Sequence, residues 1–189
     1  MNLPNQLTLL RILLSVIFVV LLSLDVTNAY AWSLLVFLVA SFTDFLDGYL
    51  ARKHNLVTDF GKLMDPLADK ILVAAALVLL VEDSLLPAWF VIVILLREFL
   101  VTGVRMLALQ SQAVIAADRW GKLKTIFQII LIGVVMARHA FRYDFAWDLG
   151  QFDQLLDYTV EALIYIVLAL TLYSGFGYSK GFIANANYK

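Results

Sequence analysis

The chain contains no cysteine, two histidines and three prolines among its 189 residues, and only 15% of it is charged. Without cysteine there is no disulfide, no thiolate metal site and no cysteine nucleophile, and the residue that reports on redox compartment is missing. His54 and His139 fall in segments that the topology below puts on opposite sides, so they form no metal-binding or acid–base pair. Of the prolines, Pro66 and Pro87 sit where helices can begin, since proline at a first helical position gives up no hydrogen bond.

What is abundant is apolar residues, 62% of the chain with a mean hydropathy of +0.87, against about 45–50% apolar in ordinary soluble domains. A membrane protein follows. Apolar runs near 8–24, 30–50, 66–81, 85–108, 121–138 and 157–177 predict six helices, near the roughly 20 residues a bilayer crossing needs. The expected fold is therefore an all-α polytopic bundle with six transmembrane helices, forming one domain over 1–189. The polar opening MNLPNQLTLLR keeps its arginine inside the apolar stretch and no A-x-A site follows, so no cleaved leader is expected. All of the 14 Lys and Arg except Arg138 and Arg142 lie at the termini, in 51–70 or in 97–124. Asp25, Glu82, Asp83, Asp144, Asp148, Asp153 and Asp157 lie on the other side, and the positive-inside rule puts both termini in the cytoplasm.

Two helices come out too short. Tyr30 to Thr43 cannot cross at about 1.5 Å per residue, so the second must continue through Asp44 and Asp47. Ile71 to Val81 must likewise extend back to about Pro66, which makes Asp65 and Asp69 the cap of the third helix. Four carboxylates then occupy the inner ends of two helices joined by a basic loop, 52–64. Asp44 and Asp47 are spaced i, i+3 and Asp65 and Asp69 i, i+4, so each pair shares a face. Carboxylates at membrane depth are costly, and four together repel unless protons or cations neutralise them. An all-oxygen donor set favours hard ions such as Mg²⁺ or Mn²⁺, which usually bind together with substrate phosphates. Against this stands the plainer reading of helix caps and dipole partners; Gly48, Ala51, Gly61 and Ala68 could likewise be helix-packing contacts.

The pattern Asp44-x2-Asp47-Gly48-x2-Ala51-Arg52-x8-Gly61-x3-Asp65-x3-Asp69, eight fixed positions across 26 residues, resembles the signature of the CDP-alcohol phosphatidyltransferases. Asn2-Leu3-Pro4-Asn5-Gln6-Leu7-Thr8-x2-Arg11, Arg97-Glu98-x6-Arg105 and Gly121-Lys122-x-Lys124-Thr125 resemble those family members that use a glycerol phosphate. The resemblance implies transfer of a phosphatidyl group from CDP-diacylglycerol to sn-glycerol 3-phosphate with release of CMP, in anionic phospholipid synthesis. It further implies two divalent ions, Mg²⁺ or Mn²⁺, on Asp44, Asp47, Asp65 and Asp69, with Asp69 also the general base. By the same resemblance Gly48, Ala51, Arg52 and Gly61 line CDP-diacylglycerol, with Asn5 and Thr8 supporting it. A homodimer in the inner membrane, its active site facing the cytoplasm, completes what the family implies.

Arg97, Arg105, Lys122 and Lys124 read as the inner ends of the fourth and fifth helices and as a pocket for the phosphate of glycerol 3-phosphate, although snorkelling cations of the positive-inside bias look the same. Asp59 and Asp118 read as solvated loop acids, and Glu161 as a dipole partner at an outer helix end. Trp32, Trp89, Trp120 and Trp147 lie near span ends, as interfacial anchors do. Competing readings are the same chemistry on serine, inositol phosphate or phosphatidylglycerol, a divalent-cation transporter, which needs acids along a through-path, and a purely structural membrane protein.

Overall fold

The computed structural model describes residues 3–24, 26–54, 59–110 and 119–186, with side chains described for 6, 8–24, 26–43, 68, 70–104 and 119–176. Those residues form α-helices and no strand: α1 (Leu3–Ser23), α2 (Ala29–His54), α3 (Asp59–Glu82), α4 (Ala88–Gln110), α5 (Arg119–His139) and α6 (Gln151–Ala186), with a π-helical turn over Ala140–Asp144 between the last two. Number and order agree with the six apolar runs. As expected, α2 continues through Asp44 and Asp47, and Pro87 stands just before α4, its carbonyl accepting from Phe90 N at 3.1 Å.

The start of α3 is a correction. The helix begins at Asp59 rather than near Pro66, so Asp65 and Asp69 lie inside it and do not cap it. Pro66 sits in its second turn, where its missing N–H leaves the Lys62 carbonyl without the usual partner, a defect that membrane helices tolerate. The basic loop 52–64 shrinks accordingly: 52–54 close α2, 59–64 open α3, and only 55–58 lie outside the described residues. α6 also starts earlier than its apolar run, at Gln151, which puts Glu161 in its third turn as an exposed residue rather than at its end.

Packing is organised around α1. Its buried residues Thr8, Arg11, Ser15 and Phe18 recur at helical spacing along one stripe. The helix packs extensively against both α2 and α3, which touch each other little. Thus α1 is a wedge between the two acid-bearing helices. Phe18 meets Phe37 of α2 with ring centroids 6.0 Å apart, and the core continues through Leu77, Leu80, Phe90, Ile94, Leu131 and Met136. Buried hydroxyls bond back along their own helices: Ser15 Oγ donates to Arg11 O at 2.8 Å and Thr171 Oγ1 to Val167 O at 2.6 Å.

The outside is as apolar as the inside. Leu13, Val16, Leu35, Ile92, Phe99, Leu100, Leu172 and Phe176 are all exposed, an apolar surface far beyond what water-soluble monomers present. Arg119–Asp144 and Gln151–Phe176 are long and apolar enough to cross a bilayer, and the chain is a membrane protein. At one end of the bundle, Tyr30 O–H donates to Asp83, Ala31 N donates to Asp144 Oδ2 at 2.7 Å, and Arg138 Nε donates to Asp153 Oδ1 at 2.7 Å. The His139 ring lies between those of Tyr30 and Tyr143, at 4.1 and 4.2 Å. His54, the last residue of α2, belongs to the opposite end, as expected.

Candidate active site

The two aspartate pairs stand on continuous helix. Asp44 and Asp47, with Gly48, Ala51 and Arg52, occupy the second half of α2, and Gly61, Asp65 and Asp69 the first half of α3. Spacings of three and four keep each pair on one face of its helix, and α2 and α3 are separated by only four residues of chain. The side chains of these residues, like those of Asn5 and Arg105, lie outside the described ones, and Asp118 lies outside the described residues altogether. Among the described residues no group of three or more His, Asp or Glu is placed to hold a metal ion. Thr8 is fully buried on α1, one turn before the buried Arg11.

The cations are arranged around a carboxylate. Glu98, at mid-length of α4, accepts from Lys124 Nζ of α5 at 2.6 Å and Arg97 Nη1 at 2.9 Å through Oε1, and from Lys70 Nζ of α3 at 2.8 Å through Oε2. Arg97 Nη2 donates to Ser174 Oγ of α6 at 2.9 Å. Four helices are thus tied through two adjacent residues. Lys124 is 1% exposed, on the same inward stripe of α5 as Gln128, Leu131, Ile132 and Val135. Among the described residues, three cations share this one carboxylate. A cavity of about 40 Å³ opens onto the cluster between Lys70, Glu98, Lys124, Thr125 and Gln128.

Arg97 reaches α6 past two glycines, of which Gly175 is the close one. A Cβ on Gly121 would lie 3.5 Å from its Nη2, and one on Gly175 would lie 3.3 Å from its Cγ. Of the basic residues expected at a phosphate pocket, the structure therefore joins Arg97 and Lys124 through Glu98. Lys122, two residues from Lys124 and so on another face of α5, is exposed. Arg97 is ten residues into α4 rather than at an end of it. The hub itself, Glu98 with Lys70, goes beyond the sequence pattern, in which Glu98 is only one position of a motif. The available signal was a lone carboxylate within an apolar run.

The CDP-alcohol phosphatidyltransferase family profile matches residues 1–173. This chain belongs to that family of membrane enzymes. A protein of Bacillus subtilis named CDP-diacylglycerol–glycerol-3-phosphate 3-phosphatidyltransferase is 48% identical over 71% of this chain and 76% of its own length. Proteins with the same name from Rickettsia felis and Escherichia coli are 36% and 35% identical, over 95% and 92% of this chain and 94% and 90% of their own lengths.

Proposed function

We propose that the chain transfers the phosphatidyl group of CDP-diacylglycerol to the 1-hydroxyl of sn-glycerol 3-phosphate, giving phosphatidylglycerophosphate and CMP. The reading is carried by the complete eight-residue acidic motif on two continuous, closely linked helices, together with relatives of that name over nearly the whole chain. In this reading six crossings keep both termini on one side, and the basic residues gathered there make it the cytoplasmic side, where the donor headgroup and the soluble acceptor meet.

The donor set fits divalent metal: four carboxylates in two same-face pairs, with no softer ligand in the motif. Held by Asp44, Asp47, Asp65 and Asp69, Mg²⁺ or Mn²⁺ would neutralise the diphosphate. Gly48, Ala51, Arg52 and Gly61 line the nucleotide, with Asn5 and Thr8 of α1 beside them. Asp69 accepts the proton of the acceptor hydroxyl as its oxygen bonds to the phosphatidyl phosphorus. The bond from that phosphorus to the bridging oxygen breaks, and CMP leaves with the bridging electrons. Asp69 serves through its position next to the acceptor hydroxyl. Arg97, Arg105 and Lys124 bind the acceptor's phosphate, with Lys122, exposed on another face of α5, outside that group. The whole of 1–189 acts as one domain, as a homodimer in the inner membrane.

The test supplies purified protein with CDP-diacylglycerol, Mg²⁺ and one alcohol at a time, and follows CMP release. Release is expected with glycerol 3-phosphate and not with free glycerol, serine, inositol phosphate or phosphatidylglycerol. Turnover of one of the latter alone would reassign the acceptor, and no CMP with any of them would remove the reaction.

A further inference from the structure

We propose that Glu98 is the positioning residue of the acceptor site, acting through Lys124 and Lys70 rather than on the substrate. This rests on the reading that Lys124 binds the acceptor's phosphate. Lys124 is nearly sealed from solvent and its ammonium donates to Glu98 at 2.6 Å, while Lys70 donates to the other carboxylate oxygen at 2.8 Å. The two lysines come from α5 and α3, and Lys70 directly follows Asp69 of the acidic motif. One carboxylate therefore fixes the distance between an acceptor-site cation and the helix that carries half of the metal ligands.

Two effects of opposite sign act on the acceptor. As an anion, Glu98 repels a phosphate, and its removal would on that ground tighten acceptor binding. As an anchor, it keeps three mutually repelling cations together and offsets the cost of an ammonium held out of water. The second effect wins because breaking a buried pair by removing one partner leaves the other charge uncompensated. Lys124 then either swings away or loses its proton, and in both cases the phosphate loses its partner.

The experiment follows CMP release while varying each substrate at saturating concentration of the other, in wild type, Glu98→Gln, Glu98→Ala, Lys124→Ala and the Glu98→Ala/Lys124→Ala double variant. Glu98→Ala is expected to raise the KM for glycerol 3-phosphate about tenfold or more, and that for CDP-diacylglycerol by less than about threefold. Glu98→Gln keeps one accepting oxygen and falls between wild type and Glu98→Ala. In the double variant the rise in acceptor KM falls well short of the product of the two single rises, because the main positioned group is already gone. Multiplying losses in the double variant, or equal rises for both substrates, would mean that Glu98 only holds the helices together and would overturn the proposal. If Glu98→Ala does not accumulate in the membrane, Glu98→Gln carries the same two comparisons. Failure of the underlying reading is seen before any Glu98 variant is made, as a wild type inactive on glycerol 3-phosphate or a Lys124→Ala variant with an unchanged acceptor KM.

Discussion

Gly175 of α6 and Arg97 of α4 fit together without room for a single methyl group at its ordinary distance: a Cβ on Gly175 would stand 3.3 Å from Cγ of Arg97. Cγ is close to the α4 backbone, so the side chain has few ways to move aside.

Paired glycine variants measure that fit. At Gly121 the corresponding distance is 3.5 Å to the far end of the same side chain, an ordinary contact, and alanine is favoured over glycine in a helix by roughly 0.5–1 kcal/mol. Gly121→Ala should therefore melt at or slightly above the wild-type temperature in detergent. Gly175→Leu should melt several degrees lower, overpacking of this kind costing about 1–3 kcal/mol, and should weaken glycerol 3-phosphate use by displacing Arg97. Equal melting of Gly175→Leu and wild type would show that Arg97 does not need the passage.

Metal dependence tests the motif. Four carboxylates on two closely linked helix ends repel one another when no cation is bound, so EDTA should abolish CMP release and Mg²⁺ or Mn²⁺ restore it. Asp44→Ala, Asp47→Ala, Asp65→Ala and Asp69→Ala should each lose roughly a hundredfold or more in turnover, about 3 kcal/mol of transition-state stabilisation, while still inserting. Glu161→Ala, exposed on α6, should keep its activity. Wild-type turnover by any one aspartate variant would remove that residue from the metal set.

The opposite end of the bundle should be separable from the chemistry. Arg138 bonds Asp153 and Asp157, and Arg142 bonds Asp153 at 3.1 Å, tying the end of α5 to the start of α6. Arg138→Ala should lower the melting temperature, and the difference should shrink as salt is raised, since partly exposed pairs are screened. Both KM values should stay at wild type. A change confined to glycerol 3-phosphate would contradict the placement of the acceptor site at the other end.

Sequence reasoning reached the helices because membrane thickness is a ruler. Tyr30 to Thr43 is too short to span, and that shortfall was enough to predict that α2 runs on through Asp44 and Asp47. The same ruler misjudged α3, because Pro66 looked like a first helical residue when it is an interior one; a proline fixes its own φ but does not say how many turns precede it. Glu98 was harder. Its partners Lys70 and Lys124 lie 28 and 26 residues away, and no local spacing rule connects residues across three helices. That Lys122 and Lys124 face different ways was legible, since a step of two turns a helix by about 200°. The π-turn over Ala140–Asp144 had no signal in the hydropathy.

The wedge position of α1 has a consequence for the order of synthesis. α1 is made before α2 and α3, yet the surfaces that bury Thr8 and Arg11 belong to those two helices, which end at His54 and Glu82. An arginine facing lipid near the middle of a helix costs about 2.5–3.5 kcal/mol. Until α3 has followed, α1 holds that residue against lipid or the headgroup boundary with no protein on one flank. These three helices are therefore a single unit of assembly, and the one made before the other two is the one that waits for them.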